Sequence, residues 1–171
     1  MSPSRCRQNF SAAAEAAIND QINMELTACY AYTSMGSYFS HDTVALPGLA
    51  QYFKHEADEE RHHADKLMQY LTARGGHLVL QAIDAPRMDW TSAKCALEAA
   101  LELEKKVNAS LLKLHGIAGE HNDAHLTDFI EEEFLEDQIK TIKLLADMLT
   151  KLERCGEHGL GLYIFDRDLK A

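Results

Sequence analysis

The 171-residue sequence predicts an all-α fold: a four-helix bundle with one long crossover connection and a short C-terminal fifth helix. Three observations lead there. Proline and glycine are scarce, at 3 and 9 residues, a composition that favours long helices over sheets. Apolar residues recur at three- and four-residue steps along four long stretches. Two of the connections between those stretches are short and one is long, which is the connectivity of a bundle built from two hairpins.

The first helix is predicted over about 11–40. A short break leads to a second over 46–74, opening at Leu46-Pro47, where proline suits the first turn, and closing at Gly75-Gly76. Residues 77–90 carry no periodicity and contain Pro86 and the single tryptophan, Trp90. A third helix follows over 92–119 and a fourth over 124–154, stopped by Gly156, with the fifth over 160–169. The helix over 46–74 is roughly 42 Å long at about 1.5 Å per residue, and the extended crossover reaches roughly 46 Å. The crossover is thus just long enough to return along the bundle and make the second and third helices parallel. The whole chain, 1–171, reads as one domain.

Composition narrows the function classes. A net charge of −10 disfavours a nucleic-acid partner and favours a cationic one. No run is apolar and long enough for a membrane span or a signal peptide. Cys6, Cys29, Cys95 and Cys155 show no CxxC and no paired spacing, and read as free thiols of a reducing compartment. A soluble, cytoplasmic protein is expected.

Each long helix carries an apolar seam, and each seam is interrupted by polar residues. The first reads Ile18, Ile22, Glu25, Cys29, Tyr32, and the second Leu49, Phe53, Glu56, Glu60, His63, Leu67, Tyr70. The third reads Leu97, Ala100, Glu104, Val107, Leu111, Leu114, and the fourth Phe134, Gln138, Thr141, Leu145, Met148, Leu152. A buried carboxylate without a partner costs several kcal/mol, and no Lys or Arg stands among these positions. In a hairpin, residues equidistant from the turn share a level. Glu25 and Glu60 are centred on the first break, and Glu104 and Gln138 on position 121 in the second short turn. Glu60 lies as far into its helix as Glu104 does, so all four helices place a ligand-type side chain at one level. Glu60 and His63, three apart, share a helical face and can address one ion. Carboxylate-rich sets with few imidazoles suit iron or manganese better than structural zinc, and three carboxylates around Glu60 can hold two metals. Tyr32 reads equally well as a core aromatic and Gln138 as a tolerated core amide. Glu56 reads as a flank of the layer.

At these residues the sequence resembles the heavy-type chains of the animal ferritin family. The segments QINMELTACYAYTS (21–34), HEADEERHHADKL (55–67), LELEKKVNASLLKLH (101–115) and DFIEEEFLEDQIKTIK (128–143) look like its four core helices, and the likeness runs through RGGHLVLQ to the terminal GLGLYIFD. The resemblance implies a ferritin-like bundle and a ferroxidase, with two irons per subunit as transient substrate and product. Glu25, Glu60 and His63 would hold the first iron. Glu60 and Glu104 would hold the second, with Gln138 beside it and Tyr32 nearby. It also implies a cage of 24 subunits, made of this chain alone or mixed with other ferritin chains. Asp128 and Glu131 would line the three-fold channels, and Glu59, His62 and Asp65 would face the mineral. Thr127, His62, Asp65 and Asp168 depart from the family pattern at channel and cavity positions, none of them a ferroxidase ligand.

The implied reaction is oxidation of two Fe(II) by dioxygen or peroxide, with a ferric mineral as product. Two rivals differ in class. A passive storage subunit would have suited a chain lacking Glu60 or His63. A di-iron enzyme that retains its metals would have suited a second Glu-x-x-His on the fourth helix, where Leu135 and Gln138 stand instead.

Overall fold

The computed structural model describes residues 4–169. Among them the elements are all helical: α1 (Ala12–Ser40), α2 (Pro47–Ala73), α3 (Ala93–Glu120), α4 (Ala124–Ile130), a π-helical turn (Glu131–Leu135), α5 (Glu136–Cys155) and α6 (Gly159–Asp168). α1 packs on α2 and α3, and α3 packs on α4 and α5, so the bundle is two hairpins laid side by side.

Local chemistry sets the helix ends. Ser11 caps α1 by accepting from the Ala14 amide at 3.0 Å, and Ser92 caps α3 by accepting from Cys95 at 3.1 Å. Leu46 supplies no side-chain cap to α2. The buried carboxylate of Asp166, on α6, does so from a distance in sequence, accepting from the Gly48 amide at 3.0 Å and Leu49 at 2.8 Å. Gly75 takes φ +76° just past α2, a conformation that costs glycine nothing. Asp123 caps α4 through the Leu126 amide and is gripped by Arg74 at 3.0 and 2.8 Å, which ties the end of α2 to the second short turn.

The crossover runs along α1. Near its start, buried Asn19 donates to the His77 carbonyl at 3.0 Å and accepts from the Val79 amide at 2.7 Å. Gln81 then reaches Asp20, and farther along Ser34 donates to the Arg87 carbonyl while Trp90 Nε1 donates to Ser34. Partners on α1 advance with the loop, so the connection climbs the bundle and delivers α3 parallel to α2.

The fourth long helix departs from expectation. It is not one α-helix over 124–154, since the π-turn interrupts it. The buried residues Leu126, Ile130, Phe134 and Gln138 follow three consecutive four-residue steps. On an α-helix each such step overshoots a full turn by roughly 40°. The wider π-turn absorbs that drift and keeps both Phe134 and Gln138 facing inward.

Four seam positions are less than fully buried: His63 and Thr141 are half-buried, as is Glu56, in keeping with its reading as a flank, and so is Cys29, which its spacing placed in the core. The core places beside Cys29 and Glu56 go to Ala28 and Ala57.

Candidate metal centre

The core consists of two apolar clusters. One gathers Ile18, Ile22, Leu67, Leu111, Ile130 and Phe134, and the other Met35, Phe39, Leu49, Phe53, Leu97 and Leu145. Between them lies a polar layer of Glu25, Glu60, Glu104 and Gln138, all buried and drawn from α1, α2, α3 and α5.

On one side of the layer, Glu25, Glu60 and His63 each offer a ligand atom within 4.8 Å of the others'. His63 Nδ1 lies 3.7 Å from Glu60 Oε2, one turn along α2, and its ring meets Phe134 edge-on. Glu25 Oε1 accepts from Gln21 Nε2 at 2.8 Å. Glu25 Oε2 and Glu60 Oε2 are buried without any hydrogen-bond partner. On the other side, Glu104 is held by two neutral donors: the Tyr32 hydroxyl donates to Oε1, and Gln138 Nε2 to Oε2 at 3.1 Å. The amide oxygen of Gln138 has no partner. Tyr32 is fully buried and stacks on Phe53 at 6.0 Å between ring centres.

Among the described residues no Lys or Arg forms an ion pair with these three carboxylates. Burial pushes the Glu25 carboxyl far up, with the adjacent Glu60 adding to the rise. Burial likewise raises Glu60, and Glu104 and Glu56 add to it. Tyr32 is raised by burial and by Glu104. Three acidic groups in a buried layer, with orphaned oxygens and no Lys or Arg beside them, suit a divalent or trivalent metal ion as donors.

A cavity of about 170 Å³ opens from the layer, lined by Glu56, Glu59, Glu60, His63, Glu104 and Gln138, with His55, Asp137 and Lys140 toward its mouth. Glu56, read as a flank, is therefore part of this wall. Glu59 is exposed at the cavity. Asp65 stands apart from it, 3.3 Å from Arg61, one turn away on α2. Asp128 and Glu131 are exposed beyond the second short turn, where Glu131 meets His115 at 2.6 Å. Gln21 escaped the seam reading. Its one signal in the sequence is the i,i+4 spacing to Glu25.

A bundle of this connectivity, divided by a buried carboxylate layer, is the architecture of the ferritin-like proteins. The chain belongs to the ferritin family of iron-storage proteins, whose ferritin-like domain it matches over residues 15–155. It is similar to the soma ferritin of Lymnaea stagnalis, with 54% identity over 169 residues, covering 98% of this chain and 97% of that one. No described helix is long and apolar enough to cross a membrane.

Proposed function

We propose that this chain is a heavy-type ferroxidase subunit, which oxidises Fe(II) at the carboxylate layer and stores the product as a ferric mineral within a cage of 24 copies. The observation that carries the proposal is the meeting of Glu25, Glu60 and His63 within 4.8 Å at the carboxylate layer, where among the described residues no Lys or Arg pairs with the carboxylates.

In this reading Fe(II) is substrate. Glu25, Glu60 and His63 take one ion, while Glu60 and Glu104 take a second with the Gln138 oxygen beside it. Two Fe(II) give one electron each to dioxygen, which with two protons leaves as hydrogen peroxide, and two Fe(III) remain. The carboxylates favour this direction because anionic oxygen donors stabilise Fe(III) more than Fe(II). Tyr32 orients Glu104 through its hydroxyl. The fourth helix supplies Leu135 and Gln138 where a retained di-iron centre would have another carboxylate and imidazole, so the oxidised iron leaves, past Glu56 and Glu59, toward the mineral. Asp128 and Glu131 provide an acidic entry for the ion, and Asp65 joins Glu59 on the mineral-facing surface. A cytoplasmic setting fits the free thiols of Cys29 and Cys95.

The test is the initial rate of aerobic Fe(II) oxidation at two irons per subunit, for the wild type and His63→Ala. Fast oxidation that falls by at least tenfold in the variant is the expected result. Wild-type rates at the protein-free background would reduce the chain to a passive storage subunit.

A further inference from the structure

We infer that Gln21 is a positioning residue for iron binding, holding Glu25 by one oxygen so that the other is presented to the metal; the inference rests on the function proposed above. Gln21 stands one turn before Glu25 on α1 and is entirely shielded from solvent, between Ile18 and Ile22 in the seam. Burying an amide there is costly unless hydrogen bonds repay its lost hydration. Its Nε2 donates to Glu25 Oε1 at 2.8 Å, whereas its own Oε1 has no partner. The side chain thus serves Glu25 and no other group, and an apolar residue would fill the seam better if packing were its role.

The opposite carboxylate is treated in the same way. Glu104 receives Tyr32 and Gln138, both neutral donors. Each outer carboxylate is therefore oriented by neutral donors, and no fixed cation competes with the ion for it. A Lys or Arg at position 21 would orient Glu25 equally well but would compete with the metal for it. Between them, Glu60 keeps Oε2 free of any donor, as a group that addresses both metals requires. With Gln21 anchoring Oε1, the lone Oε2 of Glu25 defines a one-oxygen ligand. Without that anchor the carboxylate is free to turn both oxygens to the ion or to swing away.

Loss of such an outer hydrogen bond typically costs about 10–100-fold in metal affinity or activity. The experiment uses the assembled full-length protein and Co(II), a redox-quiet probe with visible bands sensitive to ligand number. Gln21→Met keeps the volume and removes the donor. It is expected to weaken the tightest Co(II) binding roughly 10–100-fold, to change the band pattern, and to raise the KM for Fe(II) more than it lowers kcat. The apparent Tm should stay within a few degrees, which separates positioning from packing. If Gln21→Met does not fold, Gln21→Asn keeps the amide one methylene short of Glu25 and should show the same Co(II) loss. A folded variant with wild-type Co(II) affinity and spectrum overturns the inference. Tight Co(II) binding that persists undiminished in His63→Ala would instead overturn the site on which it rests.

Discussion

Glu56 sits half-buried on the cavity wall one turn before Glu60, where burial, with Glu104 and Glu59 adding, raises its carboxyl to about 7. Glu25 and Glu60 are raised as well. The native metal-free protein therefore binds more protons than the unfolded chain over the range between ordinary carboxylate values and those raised ones. Stability must then fall as pH rises through that range. The apparent Tm of chelator-treated protein is expected to drop by a few degrees between pH 5.5 and 8, and Glu56→Gln should flatten part of the slope. A Tm that rises with pH would mean these groups are ionised and paired. At this scale the sequence was most legible where spacing carries geometry. Glu60 and His63 share a face by their i,i+3 relation, and Glu25 and Glu60 meet because a hairpin places residues equidistant from its turn side by side. It was least legible where a rotamer decides. Nothing in the pattern says that Gln138 turns its amide nitrogen to Glu104, or that Gln21 reaches Glu25 and Glu56 faces the cavity.

At the scale of elements, punctuation was readable and compensation was not. Pro47, Ser92 and the Gly75-Gly76 pair mark helix ends through local backbone chemistry. The capping of α2 by Asp166 joins residues far apart in the chain, so no local signal could show it. That carboxylate satisfies the Gly48 and Leu49 amides in the first turn of α2, where Pro47 has no N–H of its own, and docks α6 onto the bundle. Asp166→Ala is expected to cost about 1–3 kcal/mol. It should also loosen α6 before the bundle itself, seen as faster amide exchange over Gly159–Asp168 with α3 unchanged. The π-turn was hidden for another reason: a four-residue step fits an α-helical seam, and only a run of three exposes the drift. It yields a paired deletion test. Removing Glu132, exposed within the π-turn, leaves steps of four, three and four from Leu126 to Gln138 on a plain α-helix, so the protein should still fold and assemble. Removing Lys143, in α5, turns Leu145, Met148 and Leu152 by roughly 100° away from the core, and should abolish folding. Equal tolerance of both deletions, in thermal melts and gel filtration, would refute the register role of the π-turn.

Across the whole molecule, the carboxylate layer divides one apolar core into two, and a bundle selected only for stability would close that gap. The cost is not spread evenly. Glu104 answers the Tyr32 hydroxyl and the Gln138 amide, so removing it strands two buried donors. Glu60 strands none at Oε2, which has no donor to lose. Replacing a buried, unpaired acid with an apolar side chain of similar volume removes its desolvation penalty and joins the two clusters. Glu60→Met is therefore expected to stabilise metal-free protein at pH 8 by roughly 1–4 kcal/mol, raising the apparent Tm by several degrees, while Fe(II) oxidation falls to background. Glu104→Leu, which also removes one carboxyl from the layer, should bring no such gain, because unpaired buried donors cost about 1–3 kcal/mol each. Measuring both variants with and without Zn(II) separates the contributions. Zinc should raise the Tm of the wild type through binding to the folded state alone, and should leave Glu60→Met unmoved. If Glu60→Met melts below the wild type without metal, the layer contributes to the fold in its own right. If it melts above, stability has been given up at this level of the core in return for a place to hold iron.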